Sequence, residues 1–394
     1  MSRRARRAGL AGLANAASLV RAALLAAALA ALGLGGGCAS AGSSPSSLPG
    51  PSPNASFGES FGESFGYYGQ SLAGHVDLMR RARPVADWLA DPSTPPALRQ
   101  RLRLAQQLRD FAVRDLALPD NASYRRYADL GRSAVVWNVV AAPELSLTLK
   151  TWCYPVMGCV GYRGYFARAD AEAEARTQRA AGLEVSVYGV PAYSTLGWTN
   201  WLGGDPLLST FVAGSEAALA RLLFHELAHQ VAYAADDTPF NESYATAVER
   251  LGLARWWAET GRAPDDGAAA QRQADFRAIT ARTRNALKTL YDGDAPDAQK
   301  RQRKAELMAG MQAEFAALKA APSGPWAGFA GYDPWLARAN NAALALQAAY
   351  DGWVPAFERM FERQGRDFAR FHAEVRRLAA LPADQRRATL QALP

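Results

Sequence analysis

The pattern H-E-x-x-H, formed by His225, Glu226 and His229, constrains what this 394-residue chain can fold into more than any other feature. Residues 215–234 around it contain no glycine or proline and carry apolar residues at helical spacing, with Ser215 as a typical N-cap. On a helix, side chains four residues apart share a face, so both imidazoles can be directed at one metal ion. Glu226 is then placed to take a proton from a water molecule. The pattern predicts a catalytic zinc site; a helix with two surface histidines is the alternative.

A catalytic zinc site needs a third protein ligand and leaves a fourth position open to water. The extended pattern, with a glycine and a third histidine after His229, is absent from the sequence. Asn241 can cap a second helix, which places Glu242 in its first turn, facing back toward the first helix. Asp236 and Asp237 are rival ligands, but they follow the first helix too closely to turn back comfortably. The predicted third ligand is therefore Glu242.

The N-terminus has the features of an export signal. Arginines precede an apolar run over residues 22–34, which is too short for a lasting membrane anchor but suits a signal peptide. Three glycines before Cys38 resemble the lipobox of bacterial lipoproteins, which implies a lipidated Cys38 and a membrane anchor in the cell envelope. Ala39, where an aspartate commonly signals inner-membrane retention, favours the outer membrane, facing the periplasm. A secretory signal with an incidental cysteine is the alternative.

The net charge argues against a nucleic-acid partner once the export signal is taken into account. The formal charge of the whole chain is +7, but residues 1–37 contain five arginines and no acid, so +2 remains without them. No later stretch combines a basic patch with interleaved aromatic residues. The charge distribution thus predicts no nucleic-acid partner.

The other two cysteines, Cys153 and Cys159, flank a short segment that contains Pro155 and Gly158. In an exported protein, two free thiols would be exposed to an oxidising compartment, and a loop of this size can bring the two Cα atoms within bridging distance. The sequence therefore favours a disulfide. A metal site is the weaker alternative, because neither cysteine belongs to a paired zinc-binding pattern.

The order of an H-E-x-x-H helix, a loop and a helix that opens with Asn-Glu resembles the gluzincin metallopeptidases. The resemblance implies three ligands for Zn²⁺ and one general base: His225, His229, Glu242 and Glu226. The loop of twelve residues between His229 and Glu242 is shorter than in the best-known members. Glu249, two helical turns after Glu242, or Thr246, one turn after it, can orient a ligand histidine. A solvated acid is the alternative role for Glu249.

Strings outside the zinc motif are similar to a bacterial family of predicted aminopeptidases, from about Tyr67 to about Leu381. Examples are Val136-Trp-Asn-Val-Val-Ala-Ala-Pro-Glu144, Trp152-Cys-Tyr-Pro155 and Asn340-Asn-Ala342. The resemblance implies a metal-dependent peptidase that acts on a peptide substrate, and an aminopeptidase by the family's name. The Gly-Ala-Met-Glu-Asn motif, which binds the substrate's amino terminus in better-known gluzincin aminopeptidases, is absent. A metalloendopeptidase with the same site and a non-catalytic zinc-binding lipoprotein are the alternatives.

Peptide hydrolysis also needs a hydrogen-bond donor for the developing oxyanion. Tyr193 is the predicted donor, because the extended stretch 192–198 can line the cleft in the way that zincin edge strands pair with substrate. Other side chains are available in principle: Tyr162, Tyr165, Tyr332, Tyr350 and Asn341.

The predicted fold class is α+β and mainly α, with a zincin-like catalytic core (a small sheet plus the H-E-x-x-H helix) and a helical C-terminal region. With 49% hydrophobic residues, the chain can bury a full core. The predicted helices cover residues 71–90, 96–117, 215–234 and 241–260 and much of the chain after residue 271, and the predicted strands cover residues 133–141 and 183–190. The predicted regions are a signal peptide (1–37), a lipidated Cys with a Pro/Ser/Gly-rich tether (38–66), the zincin-like catalytic core (67–262) and the helical C-terminal region (263–394).

Overall fold

A computed structural model describes residues 57–154, 158–192, 203–262 and 267–393. Cys38, Tyr193 and the predicted signal peptide lie outside these residues. Gly58–Pro394 forms one compact unit. In the part of the chain that the structure describes, no helix combines the length and the apolar character needed to cross a membrane.

The structure is mainly helical with small sheets, which confirms the predicted class of a mainly α, α+β protein. The first half contains, in chain order, α1 (Phe57–Arg81), β1 (Arg83–Pro84), α2 (Val85–Ala90), α3 (Pro96–Leu116), β2 (Arg126–Ala128), β3 (Val136–Pro143), β4 (Trp152–Tyr154), β5 (Gly158–Val160), β6 (Arg163–Tyr165), α4 (Arg168–Ala180) and β7 (Leu183–Val190). The second half contains β8 (Leu207–Leu208), α5 (Ser209–Val212), α6 (Glu216–His229), α7 (Thr238–Thr260), α8 (Gly267–Asp292), α9 (Asp297–Ala320), α10 (Asp333–Leu336), α11 (Asn341–Asp351), α12 (Val354–Arg363), α13 (Phe368–Ala379) and α14 (Ala383–Gln391).

One three-stranded sheet has the strand order β6-β3-β7 and is antiparallel throughout. Successive residues of β3 point to opposite faces, and both faces are covered. Val139 and Ala141 pack against α4, whereas Val140 and Ala142 pack against α11. This double burial explains why β3 is apolar at every position but Asn138 rather than alternating. The predicted strand over residues 183–190 has the bounds of β7.

Helix α1 begins at Phe57, so the last ten residues of the predicted tether, 57–66, lie in this helix. In the sequence, Phe57, Phe61 and Phe65 recur every four residues, a spacing that fits a helix. The last part of the segment assigned to the tether is therefore helical, because its short repeat has helical periodicity despite its glycines.

Helix α6 is capped as predicted: the Oγ of Ser215 accepts a hydrogen bond from the backbone N–H of Ala218 at 3.1 Å. The helix ends at His229, about five residues earlier than predicted, and Gln230 is its C-cap. The second histidine of the motif thus lies in the last turn, where the chain leaves the helix.

The start of α7 differs from the prediction that Asn241 caps it. The helix begins at Thr238, and Asp237 is the N-cap, with its Oδ1 accepting from the N–H of Phe240 at 3.1 Å. Asn241 lies inside the helix and is buried; its amide bonds both the N–H and the C=O of Ala234 at 2.8 Å each. Asn241 therefore satisfies backbone hydrogen-bonding groups of the loop between the two helices and not those of the helix end.

One main core contains side chains from both sides of the predicted boundary between residues 262 and 263. Phe224 of α6 belongs to it together with Phe357 of α12, Phe371 of α13 and Leu390 of α14. A second cluster, centred on Phe315, joins α8, α9 and α11. The predicted catalytic core and the last three helices consequently share one hydrophobic core.

His372 of α13 is a fully buried histidine that links three helices. Its Nδ1 accepts from the hydroxyl of Tyr244 in α7 at 2.8 Å, and its Nε2 donates to the C=O of Leu116 in α3, also at 2.8 Å. Burial is the main cause that lowers the pKa of His372 to about 4. The neutral ring is thus the form that the folded protein accommodates.

Lowering the pH from about 7 to about 5 is expected to destabilise the wild-type chain by about 2 kcal/mol more than the His372→Gln variant. Because the folded pKa of His372 is depressed to about 4, its contribution is present above the unfolded value of about 6.5 and is lost as the pH falls toward 4. Urea unfolding of both proteins at the two pH values, under identical metal conditions, measures this difference. If both proteins lost the same free energy of unfolding, a group other than His372 would cause the loss of stability at low pH.

Candidate metal centre

Three side-chain atoms of α6 and α7 converge on one point. The Nε2 of His225 lies 3.2 Å from the Nε2 of His229 and 3.2 Å from the Oε2 of Glu242. The Nε2 of His229 is 3.7 Å from the same carboxylate oxygen. The two histidines meet because they are one helical turn apart, and the glutamate reaches them because α7 folds back against α6.

The donor set fits a tetrahedral zinc ion. Zinc binds imidazole nitrogen and carboxylate oxygen at about 2.0–2.2 Å, which in a tetrahedron separates two ligand atoms by about 3.3–3.6 Å. The observed separations of 3.2, 3.2 and 3.7 Å lie within about 0.1 Å of that range. Two imidazoles and one carboxylate are also the ligand types of catalytic zinc sites, with a fourth position left for water. The three residues present can therefore hold the predicted metal.

Burial and charge set the protonation of this cluster. The side chains of His225, His229 and Glu242 are only 14%, 8% and 14% exposed. Burial alone disfavours a charged ring, but hydrogen bonds to Glu242 and Glu249 outweigh it and raise the pKa of His225 well above its ordinary value. Burial lowers the pKa of His229 to about 4. The raised pKa favours the charged ring of His225, protonated on both nitrogens, and binding of a metal ion would displace the proton on Nε2.

Glu249 binds the ring nitrogen of His225 that faces away from the other two ligand atoms. Its Oε2 lies 3.2 Å from the Nδ1 of His225, so it holds the ring with Nε2 directed at the other two ligand atoms. Thr246, the other candidate for this role, is buried in α7, but among the described residues no hydrogen bond joins it to either histidine. Of the two predicted orienting residues, the structure places only Glu249 in contact with a ligand ring.

The rival ligands are engaged elsewhere. The Oδ1 of Asp236 accepts from the N–H of Cys159 at 2.5 Å. Asp237 caps α7 and pairs with Arg386. Neither carboxylate belongs to the group of side chains that converge, which is the set His225, His229 and Glu242.

Cys153 and Cys159 form a disulfide that joins β4 to β5. The hydrogen bond from the Cys159 N–H to Asp236 fixes this hairpin to the loop between α6 and α7. The chain then continues through Tyr162 into β6. The disulfide-bonded hairpin therefore lies beside the candidate metal centre.

Tyr162 is the described tyrosine with electrostatic interactions to both Glu242 and Glu226. Burial, reinforced by Glu242 and by smaller contributions that include Glu226, raises the pKa of Tyr162 well above its ordinary value. The hydroxyl thus stays protonated at neutral pH and is a hydrogen-bond donor. Sequence reasoning named Tyr162 only as one of several candidates, because the carboxylates near it lie more than sixty residues away in the chain.

Three of the other oxyanion candidates make different contacts, and the remaining two lie outside the described side chains. Tyr165 donates to Glu174 at 3.0 Å, and Tyr332 stacks on Phe276. Asn341 is fully buried and donates from Nδ2 to the C=O of Pro143 and Glu144. The described part of the structure does not include the side chains of the remaining two candidates, Tyr193 and Tyr350.

Sequence reasoning missed a loop that holds the end of α6. The buried guanidinium of Arg109 bonds backbone carbonyls within residues 119–124. From this loop, Asn121 donates to the Oε1 of Gln230 at 2.7 Å, and Gln230 donates to the Oγ of Ser123 at 3.2 Å. Gln230 follows the second histidine directly, so the loop fixes the C-terminal end of the H-E-x-x-H helix. Turn-forming residues alone do not indicate such a contact.

A family model described as "Putative aminopeptidase" matches residues 66–390, which is most of the chain. The match begins at the last residue of the predicted tether and includes every residue of the candidate metal centre. No curated protein and no solved structure matches the chain.

Proposed function

Because the chain belongs to the family described as "Putative aminopeptidase", we propose that it is a zinc-dependent peptidase, and specifically an aminopeptidase. The observation that carries the zinc dependence is the convergence of two imidazole nitrogens and one carboxylate oxygen within 3.2–3.7 Å of one another. Glu226 directly follows the first of these histidines, in the position of a general base. The zincin-like arrangement of a small sheet beside the H-E-x-x-H helix is part of the same proposal.

Each residue of the centre has a separate task in this proposal. His225, His229 and Glu242 would hold the zinc ion, which would polarise the peptide carbonyl and lower the pKa of a bound water. Glu226, which is half-buried, accepts a proton from the attacking water and delivers it to the leaving amine as the C–N bond breaks. Glu249 keeps the ring of His225 in the tautomer that leaves Nε2 free to bind the metal.

We assign the oxyanion donor to Tyr162 among the described tyrosines. Glu242 and Glu226 both contribute to its raised pKa, and its protonated hydroxyl can donate a hydrogen bond to a developing oxyanion. Tyr188 also interacts with Glu242, but Glu226 is not among the groups that act on its pKa. Tyr188 therefore serves as a matched control.

Replacing Tyr162 with phenylalanine is expected to lower kcat about 10²–10³-fold while zinc content stays unchanged, because one oxyanion donor is lost and no ligand is touched. Steady-state kinetics with a peptide that the wild type cleaves, together with metal analysis, measures both quantities. Tyr188→Phe is expected to keep most of the activity. If the two variants lost equal activity, Tyr162 would not be the donor.

The proposed function is tested by metal analysis of the purified chain and by its activity on free and N-acetylated peptides. An aminopeptidase cleaves peptides with a free amino terminus and leaves the acetylated ones intact, because it must bind the free amine. Cleavage of blocked peptides at internal bonds would instead establish the metalloendopeptidase. Zinc binding without hydrolysis of any peptide would establish the non-catalytic lipoprotein.

The proposal includes export and a lipid anchor, on the basis of the apolar run followed by Cys38. The anchor would hold the zincin-like catalytic core at the outer membrane, facing the periplasm, through the tether. Mass spectrometry of the mature N-terminus tests it: a peptide that begins with a lipid-modified Cys38 supports the anchor, and an unmodified residue contradicts it.

A further inference from the structure

A buried ion pair connects the last helix of the protein to the start of α7. Arg386 of α14 and Asp237 are each 5% exposed, and two guanidinium nitrogens lie 2.9 Å from the Oδ2 of Asp237. The third nitrogen donates to the C=O of Ala379 at 3.1 Å and of Leu381 at 2.9 Å. The charges are thus fully partnered, as a buried pair requires.

Asp237 uses its two oxygens for two different purposes. Oδ1 caps α7 by accepting from the N–H of Phe240, while Oδ2 binds Arg386. The guanidinium of Arg386 also lies over the ring of Phe240, 5.1 Å from its centroid. One arginine therefore holds the first turn of α7 through both its capping residue and its first large apolar side chain.

The first turn of α7 decides where Glu242 lies. Only residues 230–237 separate the end of α6 from the start of α7, and Glu242 follows Asp237 by five residues on a continuous helix. A shift or tilt at the cap is therefore transmitted directly to the carboxylate. Zinc ligands must keep their distances to within about 0.2 Å, so a small displacement of the helix weakens binding.

We propose that Arg386, acting through Asp237, is a positioning residue for the metal centre, which makes α14 part of the support of a site formed by α6 and α7. The inference rests on the proposed zinc site and goes beyond it, because Arg386 lies 149 residues from Asp237 in the chain and touches no ligand. Arg386 sets the position at which α7 presents Glu242 to the two histidines.

The test compares zinc dissociation constants, measured by competition with a chromophoric chelator, for the wild type and for Arg386→Met, Arg386→Lys and Asp237→Asn. Arg386→Met and Asp237→Asn are expected to weaken zinc binding about 10–100-fold, as loss of a residue that supports a ligand does. Arg386→Lys is expected to recover part of the affinity. The control is Arg114→Met. Arg114 of α3 forms an exposed ion pair with Glu259, which lies at the end of α7 far from Asp237, so its loss should leave the zinc affinity unchanged.

Circular dichroism of each metal-free variant separates positioning from folding. Variants that are less stable but bind zinc as tightly as the wild type would overturn the inference, since the pair would then serve stability alone. If Arg386→Met does not fold, Asp237→Asn decides the matter, because asparagine keeps the capping oxygen. A wild-type chain that binds no zinc would refute the proposed function itself, a result distinct from equal affinities among the variants.

Discussion

Replacing Glu226 with glutamine is expected to lower peptide hydrolysis about 10²–10⁴-fold while the chain retains its zinc. Glutamine has nearly the same shape as glutamate but cannot accept a proton at neutral pH. Glu226 is also absent from the group of converging ligand atoms, so its replacement leaves metal binding intact. The measurement is kcat/KM on a peptide cleaved by the wild type, with zinc content determined on the same samples.

Glu259→Gln is the matched control for this substitution. Glu259 lies in the last turn of α7, is 44% exposed, and pairs with Arg114 on the surface. Exposed pairs contribute little to stability, so activity and zinc content are expected to stay near the wild-type values. Full activity of Glu226→Gln with zinc bound would rule out Glu226 as the general base.

Replacing Glu242 with alanine is expected to abolish activity and to remove zinc from the purified protein. The substitution deletes one of three proposed ligands and leaves His225 and His229 to hold the metal alone. Glu249→Ala is expected to act more mildly, with metal affinity reduced about 10–100-fold, because it removes only the partner of the Nδ1 of His225. Excess zinc should therefore restore activity to Glu249→Ala and not to Glu242→Ala.

Zinc content after dialysis and activity across a zinc titration distinguish these two outcomes. If Glu242→Ala kept stoichiometric zinc, another carboxylate would have to be the third ligand. Asp236 and Asp237 would then be the first to test, although each already binds another part of the chain.

Several features can be predicted from the sequence because their causes are local. The spacing of His225 and His229 predicts a shared helix face, and Ser215 marks where that helix begins. Alternation over residues 183–190 predicts β7 with its correct bounds. The prediction that Asn241 caps α7 is wrong, because Asp237 is the N-cap. Asparagine and aspartate are equally good caps, so capping preference alone cannot distinguish Asn241 from Asp237.

Other features depend on contacts between residues far apart in the chain. Glu249 meets His225 and Thr246 does not, although both follow Glu242 at helical spacing. The packing of α7 against α6 determines which of the two residues lies beside the ring of His225. Tyr162 interacts electrostatically with Glu242 and Glu226, and it follows a disulfide-bonded hairpin that is joined to the loop after α6 through Asp236. No local pattern encodes either contact.

Local sequence patterns predict the helix that carries His225, Glu226 and His229, the mainly helical class and the residue types of the proposed zinc site. Three other features follow only from the folded chain: the contact of Glu249 with the ring of His225, the packing of the last helices into the main core, and the bond of Arg386 to the start of α7. Helix periodicity and capping act over one or two turns, so neighbouring residues in the sequence are enough to predict them. The orientation of one helix against another is instead set by packing and buried charge pairs across the whole chain.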